Sequence, residues 1–213
     1  MGPFAVVSNW LLPRLPRPDV IVVGDSLTAG AHASKRERAY PALTLQALRL
    51  GARGYRTSRV VGLPGGRVAD LADLQVAPAR RLVAVEVGTN DWLGYVREGP
   101  WSPTPLDQFA SAYRRLLANL VSPGTALVCL GIWGPRAGRS EAGSLLADYD
   151  AVIDRECHRR GGRFLALADV HDDASCRGPA GRHTFLGTSD VMHPNDHGHR
   201  WLAELVIAAS QKP

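Results

Sequence analysis

The sequence predicts an α/β protein, a three-layer α/β/α sandwich around one sheet of about five parallel strands, and three observations carry that prediction. Short continuous runs of β-branched and aliphatic residues recur along the chain, as expected of strands buried on both faces. Segments with apolar residues at three-to-four spacing separate these runs. The chain has 213 residues and 45% hydrophobic content, enough to bury one sizeable core, so a single domain is expected over residues 19–213.

The first strand is Asp-Val-Ile-Val-Val-Gly at residues 19–24, ended by glycine. A weaker strand candidate follows at 58–61, then stronger ones at 82–87, 126–130 and 164–168. Helices fall between them. Residues 41–50 begin with Pro41 and are followed by Gly51, while 106–120 and 144–160 carry clear helical periodicity. Residues 68–74 also read as helical. A last helix starts near Asn195 or Asp196 and places Trp201, Leu202, Leu205 and Val206 on one face. Strict alternation implies right-handed crossovers and a flavodoxin-like, doubly wound sheet. Ligands of such sheets bind beyond the carboxyl ends of the strands.

Composition excludes several classes of function. No apolar run is long enough to span a bilayer, and no repeat or low-complexity tract stands out. Residues 1–18 lack a basic start and are broken by Pro13, Pro16 and Pro18, which fits a secretory leader poorly and reads as a surface arm. The net charge of +5 raises nucleic acid as a partner, but the arginines are scattered and the densest group (Arg155, Arg159, Arg160, Arg163) has no aromatic interleaving. That group reads as a solvated helix face, and no nucleic-acid partner is expected. Cys129, Cys157 and Cys176 have no metal-ligand spacing and cannot all pair, which argues against a disulfide scaffold and points to a reducing cytoplasm.

Three motifs sit at the predicted strand ends. Gly24-Asp25-Ser26-Leu27 puts a serine on a tight turn after the first strand, where its hydroxyl is exposed to a ligand or simply caps a helix. Val87-Gly88-Thr89-Asn90-Asp91 ends the third strand. An Asn-Asp pair there is ordinary turn chemistry, or a side-chain amide aimed at a developing oxyanion. Near the C-terminus, Asp190 precedes His193 by three residues, and Pro194 biases His193 toward extended backbone. In such a loop a carboxylate can accept the Nδ1 proton and leave Nε2 free to take a proton from serine.

One doubly wound sheet brings these motifs to one edge, and together they resemble the SGNH (GDSL-like) hydrolases over nearly the whole domain. The first block of that family is Gly-Asp-Ser-Leu and its last is Asp-x-x-His-Pro. The resemblance implies a serine esterase with Ser26 as nucleophile, His193 as base and Asp190 orienting it. It implies an oxyanion hole made of the Ser26 backbone N–H, the Asn90 side chain and a glycine of the Gly62-Leu63-Pro64-Gly65-Gly66 stretch. Gly65 is assigned that place, with Gly66 one register away. No cofactor is implied, and an ester of small size is the expected partner. An acyltransferase using the same acyl-enzyme, or a ligand-binding module with the chemistry lost, remains an alternative; the complete set of site residues argues against the second.

The neighbouring residues have plainer readings. His193, His197 and His199 lack a second ligand cluster, so no metal site is expected. Asp91 reads as a loop-fixing acceptor. Trp92, Trp101 and Trp133 either line a crevice or pack in the core. The chain between Asn90 and Asp190 is nearly filled by two strands and two helices, which leaves little for a lid domain. An open crevice bounded by the loops at 92–104 and 133–141, suited to short acyl groups, is the expectation.

Overall fold

A computed structural model describes residues 17–51, 54–94, 102–136, 141–178 and 191–211. Five parallel strands form one sheet: β1 (Val20–Gly24), β2 (Ser58–Gly62), β3 (Leu82–Glu86), β4 (Ala126–Leu130) and β5 (Arg163–Leu165), in the order β2-β1-β3-β4-β5. The chain first steps from β1 outward to β2 and then returns past β1 to β3. The winding direction therefore reverses beside β1, and the crevice of a doubly wound sheet opens at such a point.

Alternate residues of the strands feed two separate cores. Ile21, Val23, Val83 and Val85 face α3 (Val68–Ala72), α5 (Leu106–Leu120) and α6 (Glu141–His158). Val20, Val22, Leu82 and Ala84 face α2 (Tyr40–Leu50) and α8 (Asp196–Gln211). Burial on both sides explains why the central strands β1, β3 and β4 carry no polar alternation. Three short helices complete the order: α1 (Ser26–Ala29), α4 (Thr89–Leu93) and α7 (Ala168–Asp172).

The elements depart from the sequence reading where the chain leaves the sheet. The strand expected over 164–168 pairs only as Arg163–Leu165, because it is an edge strand with β4 as its single neighbour and Leu167 already turns into α7. The segments after β1 and β3, read as turns, are single helical turns. Arg17, at the end of the expected arm, is fastened to the body by bonds to the Pro78 and Ala79 carbonyls and the Ser122 hydroxyl.

Two side-chain groups also differ from expectation. Cys129 of β4 and Cys157 of α6 form a disulfide with a Cα–Cα distance of 6.2 Å, leaving Cys176 buried and free. An odd cysteine count forbids complete pairing and says nothing about two residues that packing brings together. With a bridge in place, cysteine usage stops pointing to a reducing compartment. In the arginine cluster, Arg155 and Arg159 converge with Arg114 on the buried carboxylate of Glu156 at 3.4, 2.9 and 3.6 Å. Part of that cluster therefore compensates a buried charge. Among the described residues, no helix is long and apolar enough to cross a membrane.

Candidate functional site

The parallel register aligns the ends of three strands. Gly24 of β1 lies opposite both Gly62 of β2 and Glu86 of β3, so the segments that follow them emerge at one level. Gly24 has no tolerance for a side chain, since a β-carbon there would land on the Glu86 carbonyl oxygen. Asp25 caps α1 by accepting the Leu27 N–H at 3.1 Å, and Ser26 is the first residue of that helix.

After β2 the chain turns at Leu63–Gly66. Gly65 has φ of 73°, a left-handed conformation suited to glycine, and the Gly66 N–H closes the turn on the Leu63 carbonyl at 2.8 Å. That bond occupies the Gly66 N–H. The Gly65 N–H makes no such bond among the described residues, which favours Gly65 over Gly66 as a backbone donor to a ligand.

After β3, Asn90 is buried and its side-chain amide spans the first two motifs. It donates to the Gly66 carbonyl at 2.9 Å and to the Asp25 carboxylate at 3.3 Å. Asp91 accepts from the Val68 N–H at 2.9 Å and the Thr104 hydroxyl at 2.7 Å, the loop-fixing arrangement expected of it. Burial nevertheless pushes its carboxyl up to about 6. Burial has the same effect on Asp25, also held at about 6, and lifts Glu86 beside it well above the usual carboxylate range.

The C-terminal motif reaches the same edge. Ser26 Oγ and His193 Nε2 lie 2.9 Å apart across 167 residues of sequence. The loop carrying His193 is held on three sides. The His193 carbonyl accepts the Gly178 N–H at 2.8 Å, and Arg177 and Pro194 form an antiparallel bridge. Asn195 donates its amide to the Ser175 and Arg177 carbonyls while its oxygen caps α8 by accepting the His197 and Gly198 N–H groups. Finally, the Trp133 indole N–H donates to the Met192 carbonyl at 2.7 Å.

Three imidazoles of this motif point to three different places. His197 meets the Ser175 hydroxyl, whereas His199 donates from Nε2 to the Ala31 carbonyl at 2.8 Å and accepts the Tyr40 N–H on Nδ1 at 3.3 Å. Among the described residues no group of three potential metal ligands converges. Asp190 and Trp101 lie outside the described residues. Trp133 is buried in one core, and Trp92 is partly buried against the other.

Two residues at the site, His32 and Glu86, escaped the sequence reading, and a third, Trp133, was read only as crevice lining or core packing. His32 has φ of 65° and stacks its ring on that of His193 with centroids 5.2 Å apart, and nothing local in the sequence signals this. Trp133 acts on the His193 loop through one indole bond. Glu86 had a visible signal: it is the only charged residue in an otherwise aliphatic strand run.

A comparison with protein families finds that the model described as GDSL-like lipase/acylhydrolase matches residues 22–201. No curated protein sequence matches significantly. Among solved structures, the acetylxylan esterase of Geobacillus stearothermophilus is similar at 16% identity and a TM-score of 0.63, covering 92% of this chain and 95% of that one. An α/β hydrolase enzyme from the metagenome of Lake Arreo, Spain, is similar at 20% identity and a TM-score of 0.63, with 91% and 94% covered. The shared fold is the five-stranded parallel sheet with helices on both sides.

His199 supplies a pH signature of this packing. Burial holds it down to about 4, so between roughly pH 6.5 and 4 the unfolded chain takes up a proton that the folded chain refuses. Wild-type protein should therefore lose ground to a His199→Gln variant by about tenfold in the unfolding equilibrium constant per pH unit across that window. Denaturant unfolding at pH 7, 6 and 5 measures this. A pH-independent difference between the two proteins would contradict the neutral, buried imidazole.

Proposed function

This chain belongs to the GDSL-like lipase/acylhydrolase family and is an ester-hydrolysing serine hydrolase, and on that premise we propose that it works through an acyl-enzyme on Ser26 and takes short acyl groups. The observation that carries the proposal is the 2.9 Å contact between Ser26 Oγ and His193 Nε2. A hydroxyl within hydrogen-bond reach of an imidazole is the geometry of an activated nucleophile.

In the first step the Ser26 Oγ–carbonyl carbon bond forms as the hydroxyl proton passes to His193 Nε2. Asp190 is assigned the Nδ1 side of that imidazole, where a carboxylate stabilises the imidazolium. The carbonyl oxygen becomes an oxyanion, received by the backbone N–H groups of Ser26 and Gly65 and the Asn90 amide. Of the two bonds Asn90 makes at rest, the 3.3 Å bond to Asp25 is the longer, and it is the one an oxyanion competes for. Collapse expels the alcohol with the proton from His193. Water then adds to the acyl group by the same route in reverse and frees Ser26.

Two considerations support short acyl groups. Little chain between Asn90 and Asp190 is left over for a lid, and a structural neighbour with the same fold is named for removing acetyl groups from xylan. Acetylated saccharides are accordingly the first substrates to try.

Three measurements test this reading. A fluorophosphonate probe should label the wild-type protein and fail to label Ser26→Ala; equal labelling of both would place the nucleophile elsewhere. Asn90→Ala should lower kcat by about 10²- to 10³-fold with KM nearly unchanged, because the donor acts on the charged transition state. A variant that keeps its kcat while melting several degrees lower makes Asn90 a turn residue. Across a series of esters, acetyl and butyryl substrates should turn over fastest, and a clear preference for long chains would reject the short-acyl proposal.

A further inference from the structure

The buried carboxyl of Glu86 has no part in the chemistry just described, yet it sits at the end of β3 directly against the first motif. Its backbone carbonyl accepts the Asp25 N–H at 3.2 Å, and its side chain is wholly buried. One side-chain oxygen, Oε2, accepts from the Thr28 hydroxyl at 3.3 Å; the other, Oε1, receives no hydrogen bond among the described residues. A carboxylate oxygen with no donor in a dry site is costly. The group it faces is the Asp25 carboxyl, which is also wholly buried. Two acceptors cannot satisfy each other, and two adjacent buried anions repel strongly. A single proton between them removes both problems.

We propose that Glu86 is kept as the un-ionised acid, that its Oε1–H donates to the Asp25 carboxylate, and that Glu86 is thereby a positioning residue for the oxyanion site. This rests on the reading of the Ser26 N–H and Asn90 as oxyanion donors. The proton belongs on Glu86 because Asp25 is the better-supported anion. Asp25 accepts from the Leu27 N–H and from the Asn90 amide. Glu86 accepts from Thr28 alone, whose hydroxyl is already bonded to the Tyr40 hydroxyl at 2.6 Å. The other titratable groups facing the pair are Tyr40 from α2, Tyr113 from α5, and Asp91, which adds further negative charge against Asp25. Burial first and the Asp25 charge second raise Glu86 well above the ordinary carboxylate range.

The consequence reaches the reacting atoms through Asp25. One of its oxygens fixes Leu27 and with it the helical turn that begins at Ser26; the other fixes the Asn90 amide. Braced by the Glu86 proton, a single carboxylate sets the spacing between two of the three oxyanion donors. Without that proton, Asp25 and Glu86 push apart and both donors move.

The test uses Glu86→Gln, whose amide replaces the Oε1–H donor and leaves an acceptor for Thr28, and Glu86→Leu, which has neither. In infrared spectra at pH 8, wild-type protein should show the C=O stretch of an un-ionised carboxylic acid that Glu86→Gln lacks. As the pH rises above the ordinary glutamate value, only the unfolded wild-type chain releases this proton. Glu86→Gln should therefore gain on wild type by about tenfold in the unfolding equilibrium constant per pH unit. Glu86→Leu should lose more than about tenfold in kcat with KM held, and Glu86→Gln should recover it to within about threefold. Absence of the infrared band together with a pH-independent stability difference overturns the proposal, and these readings stand even if Glu86→Leu does not fold. Full kcat in Glu86→Leu overturns the positioning role. Retained kcat in Asn90→Ala would instead sink the oxyanion reading, and leaves the infrared and stability results on the Glu86 proton intact.

Discussion

The close parallel pairing of β1 with β3 is the constraint on which the rest of this site depends. Gly24 and Glu86 lie opposite each other in register, with no room at Gly24 for even a methyl group. That approach lets the Asp25 N–H reach the Glu86 carbonyl and brings the turn after β1 level with the turn after β3. Because β2 also ends level with β1, its glycine turn arrives at the same height. Two strand pairings therefore place three loops, drawn from far-apart stretches of sequence, within hydrogen-bond reach of one another.

Beneath those loops lies a buried polar layer, which a hydrophobic core normally excludes. Asn90 links Gly66 to Asp25, and Asp91 links Val68 to Thr104. Each link joins a different pair of segments, so the layer acts as a brace and limits independent loop motion. Burying carboxylates this way costs stability and moves their protonation toward neutral pH, as Asp25 and Asp91 illustrate. Under the proposed mechanism, donors held close to their working positions need little reorganisation as charge develops on the substrate oxygen.

His193 is positioned by a separate apparatus belonging to the second core. Asn195 and the 176–178 segment hold its backbone, Trp133 holds the preceding carbonyl, and His32 covers one face of its ring. Its neighbour His199 is turned inward to Ala31 and Tyr40, which ties the start of α8 to the loop after α1. The Ser26 and His193 segments thus meet not only at the Ser26–His193 contact but also through His32, His199 and the bonds of Ser34 and Arg38 to Asp196.

Much of this molecule was legible in the amino-acid order alone. Aliphatic runs without polar alternation specify strands buried on both faces, and the helical segments between them specify a doubly wound parallel sheet, because both signals arise from local periodicity. Ser26 and Asn90 stood out in short motifs at strand ends, and His193 in a short motif just before the last helix. The Cys129–Cys157 bridge, the stacking of His32 on His193, the single bond from Trp133 to Met192, the shortness of β5 and the facing carboxyls of Asp25 and Glu86 were not legible in the same way. Each is a relation between residues distant in sequence, decided by strand register and by the side on which helices pack. Glu86 marks the boundary between the two: its oddness among aliphatic neighbours was visible in the sequence, whereas its meaning came only when the β1–β3 register set it against Asp25.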